Sequence, residues 1–171
     1  TLLRATVRDN ISPGESLCQV NELLVPDAKN GMFVTLVYGV LSPDSGKLVY
    51  VNAGHVPPLL IQTSLKGTVE LFPCSMALGV LPGINIQERE ITLLPGDSLV
   101  FYTDGVSEAF SPDGQMYGRD RLKKLMLVDD ISSACQVTEL ITRTISEFSG
   151  GSLMSDDLTL IALHRQAEAS Q

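Results

Sequence analysis

The segment Ser12-Pro13-Gly14-Glu15 stands directly ahead of apolar residues at Leu17, Val20, Leu23 and Leu24. A capping serine, a proline at the first helical position and a glutamate three residues on mark a helix start, and Pro26 marks its stop. The opening Thr1-Leu2-Leu3-Arg4-Ala5 reads as the interior or end of another helix. From Phe33 to Leu41 the pattern changes to a nearly continuous apolar run, which predicts a central strand buried on both faces. Lys47 to Asn52 pairs with it across Ser42-Pro43-Asp44-Ser45-Gly46, the clearest hairpin in the chain.

Further strands are expected at Leu59 to Gln62, Val69 to Phe72, Glu88 to Leu93 and Ser98 to Tyr102, the last two joined by a Leu94-Pro95-Gly96-Asp97 turn. Arg119 to Leu127 and Ser132 to Phe148 return to helical spacing, with Val137, Leu140, Ile141, Ile145 and Phe148 on one side. Leu158 to His164 forms a final strand before a polar, frayed tail at Gln166 to Gln171. Strands first and paired helices later indicate an α+β sandwich of antiparallel sheets.

A chain of 171 residues, 44% hydrophobic and 19% charged, suits one domain with a substantial interior. Twenty acidic against 12 basic residues leave a net charge of −8 with no basic stripe, which excludes nucleic acid as the expected partner. Cys18, Cys74 and Cys135 are odd in number and far apart, so they form neither a disulfide framework nor a zinc site. No apolar run approaches the roughly 18 residues needed to span a bilayer, and no signal segment opens the chain. No membrane partner and a cytoplasmic location are therefore expected.

Two acidic motifs sit at the ends of apolar strands. Tyr102-Thr103-Asp104-Gly105 follows Ser98 to Phe101, and Ser155-Asp156-Asp157-Leu158-Thr159 precedes Leu160 to Leu163. Either motif alone reads as a turn or a cap. Together they place three carboxylates at strand ends, an arrangement that repels itself unless a hard cation neutralises it.

Gly31-Met32-Phe33-Val34-Thr35-Leu36, Val51-Asn52-Ala53-Gly54-His55 with Pro57-Pro58, Leu94-Pro95-Gly96-Asp97, Tyr102-Thr103-Asp104-Gly105-Val106-Ser107-Glu108-Ala109 and Ser155-Asp156-Asp157-Leu158-Thr159 occur in this order. In order and spacing they resemble the bacterial PP2C-like, metal-dependent serine/threonine phosphatases of the SpoIIE/RsbU-type branch. The resemblance covers nearly the whole chain and rests on the combination of motifs. It implies two stacked antiparallel sheets flanked by helices, with a binuclear Mn²⁺ or Mg²⁺ site at one end. It further implies hydrolysis of phosphoserine or phosphothreonine by metal-activated water, with a phosphorylated anti-sigma-factor antagonist of STAS type as partner and an upstream sensor or dimerisation domain.

Carried over position by position, the resemblance makes Asp104 and Asp156 metal ligands and Asp157 a ligand or an outer-shell group, with Gly105 turning the backbone beside the metal. Asn52, His55 and Thr103 are expected to orient neighbours, His55 through a structural hydrogen bond in preference to acid catalysis. The family's early Gly-Asp and second Asp, which supply a bridging carboxylate, have no counterpart in this sequence. The chain thus reads as a single domain over residues 1–171 lacking its N-terminal strands, with weak metal binding and little turnover expected of it alone. The alternative is a non-catalytic regulatory or interaction module of the same fold. The Gly79-Val80-Leu81-Pro82-Gly83 stretch reads as a turn between strands, and the resemblance implies that the region before it borders the substrate surface.

Overall fold

The computed structural model describes residues 2–6, 12–28, 31–127, 131–150 and 157–167. The elements are α1 (Leu2–Thr6), α2 (Pro13–Leu24), β1 (Leu36–Ser42), β2 (Lys47–Ala53), β3 (Leu59–Gln62), β4 (Gly67–Glu70), β5 (Arg89–Thr92), β6 (Ser98–Tyr102), α3 (Asp104–Ser107), α4 (Arg119–Leu125), α5 (Ala134–Phe148) and β7 (Leu160–His164). They fall into two compact units, one built from residues 1–57 and 72–92, the other from residues 58–71 and 93–171. All strand pairs are antiparallel.

The first unit carries a three-stranded sheet in the order β1-β2-β5, with α2 packed against it. The expected capping box is present: the Ser12 hydroxyl accepts from the Glu15 N–H and the Glu15 carboxylate accepts from the Ser12 N–H. Leu17 and Val20 of the helix meet Val51, Ala53 and Leu78 in the core. Burying side chains of this size contributes roughly 1.5–3 kcal/mol each. Both ends of α2 are tied to residues 79–88 by side chains. The Gly14 N–H donates to Glu88 Oε1 at 2.7 Å, and buried Asn21 accepts from the Gly79 N–H at 2.9 Å while donating to the Leu81 carbonyl at 2.9 Å. Residues 79–83 are thus a turn shaped by the helix, with Gly79 at φ +84° and Gly83 at φ +64°.

The Phe33 to Leu41 run, expected as a central strand buried on both faces, is not buried in that way: among the described residues β1 pairs with β2 alone and leaves Val40 49% and Leu41 37% exposed. A continuous apolar run signals a strand that suits burial on both faces, but it does not supply the second neighbour.

The second unit carries a four-stranded sheet in the order β4-β3-β6-β7, with α5 packed on β7. Leu59, Leu60 and Ile61 of β3 and Ser98, Leu99 and Val100 of β6 are buried without alternation, so these central strands are covered on both faces. The amphipathic α5 buries Val137, Ile141 and Ile145, while α4 buries Leu122. Strand β4 begins two residues before the expected Val69, because the Gln62–Gly67 pair closes the hairpin there.

Asp97 pins this sheet at one end. Its carboxylate is fully buried and accepts the Thr63 N–H at 3.1 Å and the Leu94 N–H at 2.9 Å. Its backbone carbonyl accepts from the Arg165 N–H at 3.0 Å, and the neighbouring Gly96 N–H donates to the Arg165 carbonyl at 2.7 Å. Three chain segments after β3, before β6 and after β7 therefore meet at one acid. A buried carboxylate is tolerated because backbone donors satisfy it; removing it leaves two amides unpaired. Asp97→Ala is expected to lower the unfolding free energy by about 2–4 kcal/mol in urea titrations, with Asp97→Asn losing less.

Candidate metal centre

Strands β6 and β7 run side by side, with Tyr102 opposite Leu160 at the end remote from Asp97. Beyond that pair Thr103 continues the contact by other means. Its N–H donates to the Thr159 carbonyl at 3.2 Å, its hydroxyl donates to the Asp157 carbonyl at 2.9 Å, and the same hydroxyl accepts the Thr159 N–H at 3.1 Å. One side chain thus uses its donor and an acceptor lone pair to bind two backbone groups of the opposite segment. The residues flanking the clamp are Asp104 on one segment and Asp157 on the other.

Asp104 opens α3, a single four-residue turn that the strand pattern did not reveal. Its exposed carboxylate accepts the Gly105 N–H at 3.1 Å through Oδ1, and its carbonyl accepts the Glu108 N–H at 2.7 Å. Among the described residues, Gly105 is the sole donor to that carboxylate. An acid at a helix start is electrostatically favourable, and the Gly105 N–H holds it through one oxygen. Gly105 itself is buried in the helical turn and does not adopt a left-handed conformation. Asp157 is exposed, and Asp156 lies outside the described residues.

The structure therefore brings Thr103, Asp104, Gly105 and Asp157 to one end of the β6–β7 pair. Among the described residues the groups there are carboxylate, carbonyl and hydroxyl oxygens, a set that suits a hard cation such as Mg²⁺ or Mn²⁺. Among the described residues no group of three or more His, Cys, Asp or Glu side chains is close enough to hold a metal.

Asn52 and His55 belong to the other unit. Buried Asn52 accepts the His55 N–H at 2.8 Å through its side chain, and its carbonyl takes N–H bonds from Cys74 and Ser75 at 3.0 and 3.2 Å. Between them Gly54, at φ +68°, makes a turn that a side chain would block, since a Cβ there would lie 3.0 Å from the Ala77 nitrogen. His55 Nδ1 sits 3.1 Å from the Thr35 hydroxyl. Asn52 and His55 thus close a turn. His164 likewise hydrogen-bonds Ser98 at 2.9 Å within the β6–β7 pair.

Sequence reasoning missed α3 and the double use of the Thr103 hydroxyl. The available signal was a threonine one residue past a buried strand, facing another threonine one residue before its neighbour.

The Tyr102 phenol, at the end of β6, is pushed up to about 12 by burial and by the Glu70 carboxylate. Burial also raises Tyr50 and Tyr117. A phenol with a raised folded-state pKa contributes stability that is complete below pH 10 and is lost as pH climbs towards about 12. Tyrosinate absorbance should therefore show native phenols ionising above the ordinary value, and Tyr102→Phe should flatten the alkaline loss of stability over that window.

Residues 1–166 match the family described as Stage II sporulation protein E (SpoIIE). Protein IcfG of Synechocystis sp. is 33% identical over 139 residues, covering 78% of this chain and 21% of that protein. Phosphoserine phosphatase RsbU of Bacillus subtilis is 27% identical over 156 residues, covering 91% of this chain and 46% of that protein. The chain thus spans less than half the length of these relatives. The PP2C phosphatase domain of the Bacillus subtilis cell fate determinant SpoIIE shares the fold, with a TM-score of 0.79 at 16% identity, covering 94% of this chain and 46% of that one.

Proposed function

Since the chain belongs to the SpoIIE family and has its PP2C-type fold, we propose that it is the catalytic part of a metal-dependent protein serine/threonine phosphatase. The observation that supports this reading is the Thr103 clamp, which holds Asp104 and Asp157 at the same end of two paired strands. The similarity to a phosphoserine phosphatase supports the reaction class.

In this reading Asp104, Asp156 and Asp157 would hold Mn²⁺ or Mg²⁺, which would supply a water of lowered pKa for hydrolysis of a phosphoserine or phosphothreonine ester. The chain's own residues do the positioning. Thr103 fixes the separation of the two acidic segments, and the α3 turn anchors the Asp104 backbone so that its carboxylate points from a rigid element. Tyr102 keeps its proton at neutral pH and serves the site by filling space, not as a base. The partner is a phosphorylated regulatory protein of the anti-sigma-factor antagonist type, a reading supported by the similarity to RsbU.

Mn²⁺ binding followed by electron paramagnetic resonance, together with turnover of a phosphate ester, tests the proposal. Asp104→Asn and Asp156→Asn should each weaken Mn²⁺ binding by at least roughly tenfold, and Thr103→Val, which keeps the shape but loses the clamp, by about tenfold, with Thr103→Ser close to the parent. Turnover should follow the same order, measured in this chain and in a version extended upstream. Unchanged Mn²⁺ binding in Asp104→Asn would refute the assignment of the site. Inactivity of every version despite binding would favour the non-catalytic module.

A further inference from the structure

The segment that leaves α3 folds back on itself before α4. The Tyr117 N–H donates to the Ala109 carbonyl and the Gly118 N–H to the Ser107 carbonyl, each at 2.8 Å. Residues 107–118 thus form a hairpin whose base lies one helical turn from Asp104. Phe110 and Met116 stand opposite each other across it in an antiparallel bridge. Residues directly opposite in such a bridge project on the same face, and these two remain 51% and 52% exposed. Single exposed apolar residues need no explanation, but two held side by side in water beside the Asp104 turn do.

Cations of α4 adjoin this hairpin. Arg121 donates from Nη1 to the Met116 carbonyl at 2.9 Å and from Nη2 to Gln115 Oε1 at 3.2 Å, and its guanidinium lies 4.9 Å from the centre of the Phe148 ring. Tyr117 meets the same ring in a T-shaped contact at 5.1 Å, which fastens the hairpin to α5. The oxygens that Arg121 binds are neutral, so among the described residues no ion pair cancels its charge. Glu70, at the end of β4, uses one carboxylate oxygen on Arg119 and the other on Lys123, each at 3.1 Å, so one negative charge is set against two positive ones. Arg119, Arg121 and Lys123 line a cleft of about 380 Å³. Its second acid, Asp120, is bound to Lys123 at 2.9 Å and is largely exposed.

We propose that the 107–118 hairpin and α4 are the docking face for the protein substrate, which takes an acidic segment carrying apolar side chains beside the phosphorylated residue. This inference rests on the phosphatase reading and adds where its specificity resides. Phe110 and Met116 receive the apolar side chains, and Arg119, Arg121 and Lys123 receive the carboxylates. The reach fits. One turn of α3 rises about 5.4 Å, a span that roughly two residues of an extended segment cover. Charge selects the class of partner. The chain as a whole carries −8, which repels a nucleic acid or an anionic membrane, whereas cations screened beyond about 8 Å still attract a short acidic segment in contact with them.

The probe is a short fluorescent peptide with Glu and Leu residues around an unphosphorylated serine, and its control has Gln at every Glu. In fluorescence anisotropy the acidic peptide should bind this chain more tightly than the control, by a margin that shrinks as salt rises. Arg119→Gln and Phe110→Ser should each weaken that binding at least about threefold, while Asp120→Asn, which removes an exposed acid from the cleft, should tighten it about twofold. Misfolding cannot produce a gain in one variant and a loss in the others. In a version extended upstream, with the phosphorylated peptide as substrate, KM should follow the same order at unchanged kcat, and turnover of a small phosphate ester should not move. Equal binding of both peptides, variants that bind like the parent, or tighter binding of anionic phospholipid vesicles or single-stranded DNA than of the acidic peptide would each overturn the proposal. No turnover of either substrate with the binding order intact would refute the phosphatase reading while supporting a face that docks acidic segments.

Discussion

The second unit depends on the pairing of β6 with β7, because both polar features that define it are anchored to the two ends of that pair. At one end a buried acid, Asp97, draws the segments after β3 and β7 onto the start of β6. At the other a half-buried hydroxyl, Thr103, ties the segment before β7 to the exit of β6. Between them five residue pairs run in register, from Ser98 opposite His164 to Tyr102 opposite Leu160. A slip of one residue would turn Leu99 and Tyr102 to opposite faces and separate both anchors, so register and site geometry are fixed by the same contacts.

The readable parts of the fold were those whose cause is local. The Ser12 capping box, the Ser42–Gly46 hairpin and the alternation-free runs of β3 and β6 depend on residues adjacent in the chain, and each lies where the pattern placed it. The exposure of Val40 and Leu41 on β1 was not readable, because what covers a strand is set by tertiary pairing. The α3 turn was hidden for a different reason: Asp-Gly suits a tight turn and a helix start equally, and only the bond from Glu108 N–H to the Asp104 carbonyl distinguishes them. In the candidate site the acids could be named from the motifs, but nothing local reports that the hydroxyl of Thr103 bonds Asp157 and Thr159, more than 50 residues away.

Polar groups in the two units solve one problem, how to close a chain segment that has left its ladder. Asn52 does so with an amide that accepts the His55 N–H at 2.8 Å, Asp97 with a carboxylate, Thr103 with a hydroxyl. Their chemistry matches their burial. The fully buried Asn52 and Asp97 have firm backbone partners, since an unpaired polar atom there would cost about 1–3 kcal/mol. Thr103, nearer solvent, needs less and is correspondingly freer to serve the acids beside it.

That difference bears on how a cation would relate to folding. Asp104 and Asp157 are exposed, so water and salt screen their repulsion. The strands that carry them are held by the β6–β7 ladder and its two anchors. Metal binding at this end of the sheet would therefore add to a geometry already formed, unlike a structural zinc site whose ligands come together only with the ion. Preformed acids on a rigid frame keep their spacing when a cation leaves, which suits hard ions that bind weakly and exchange readily.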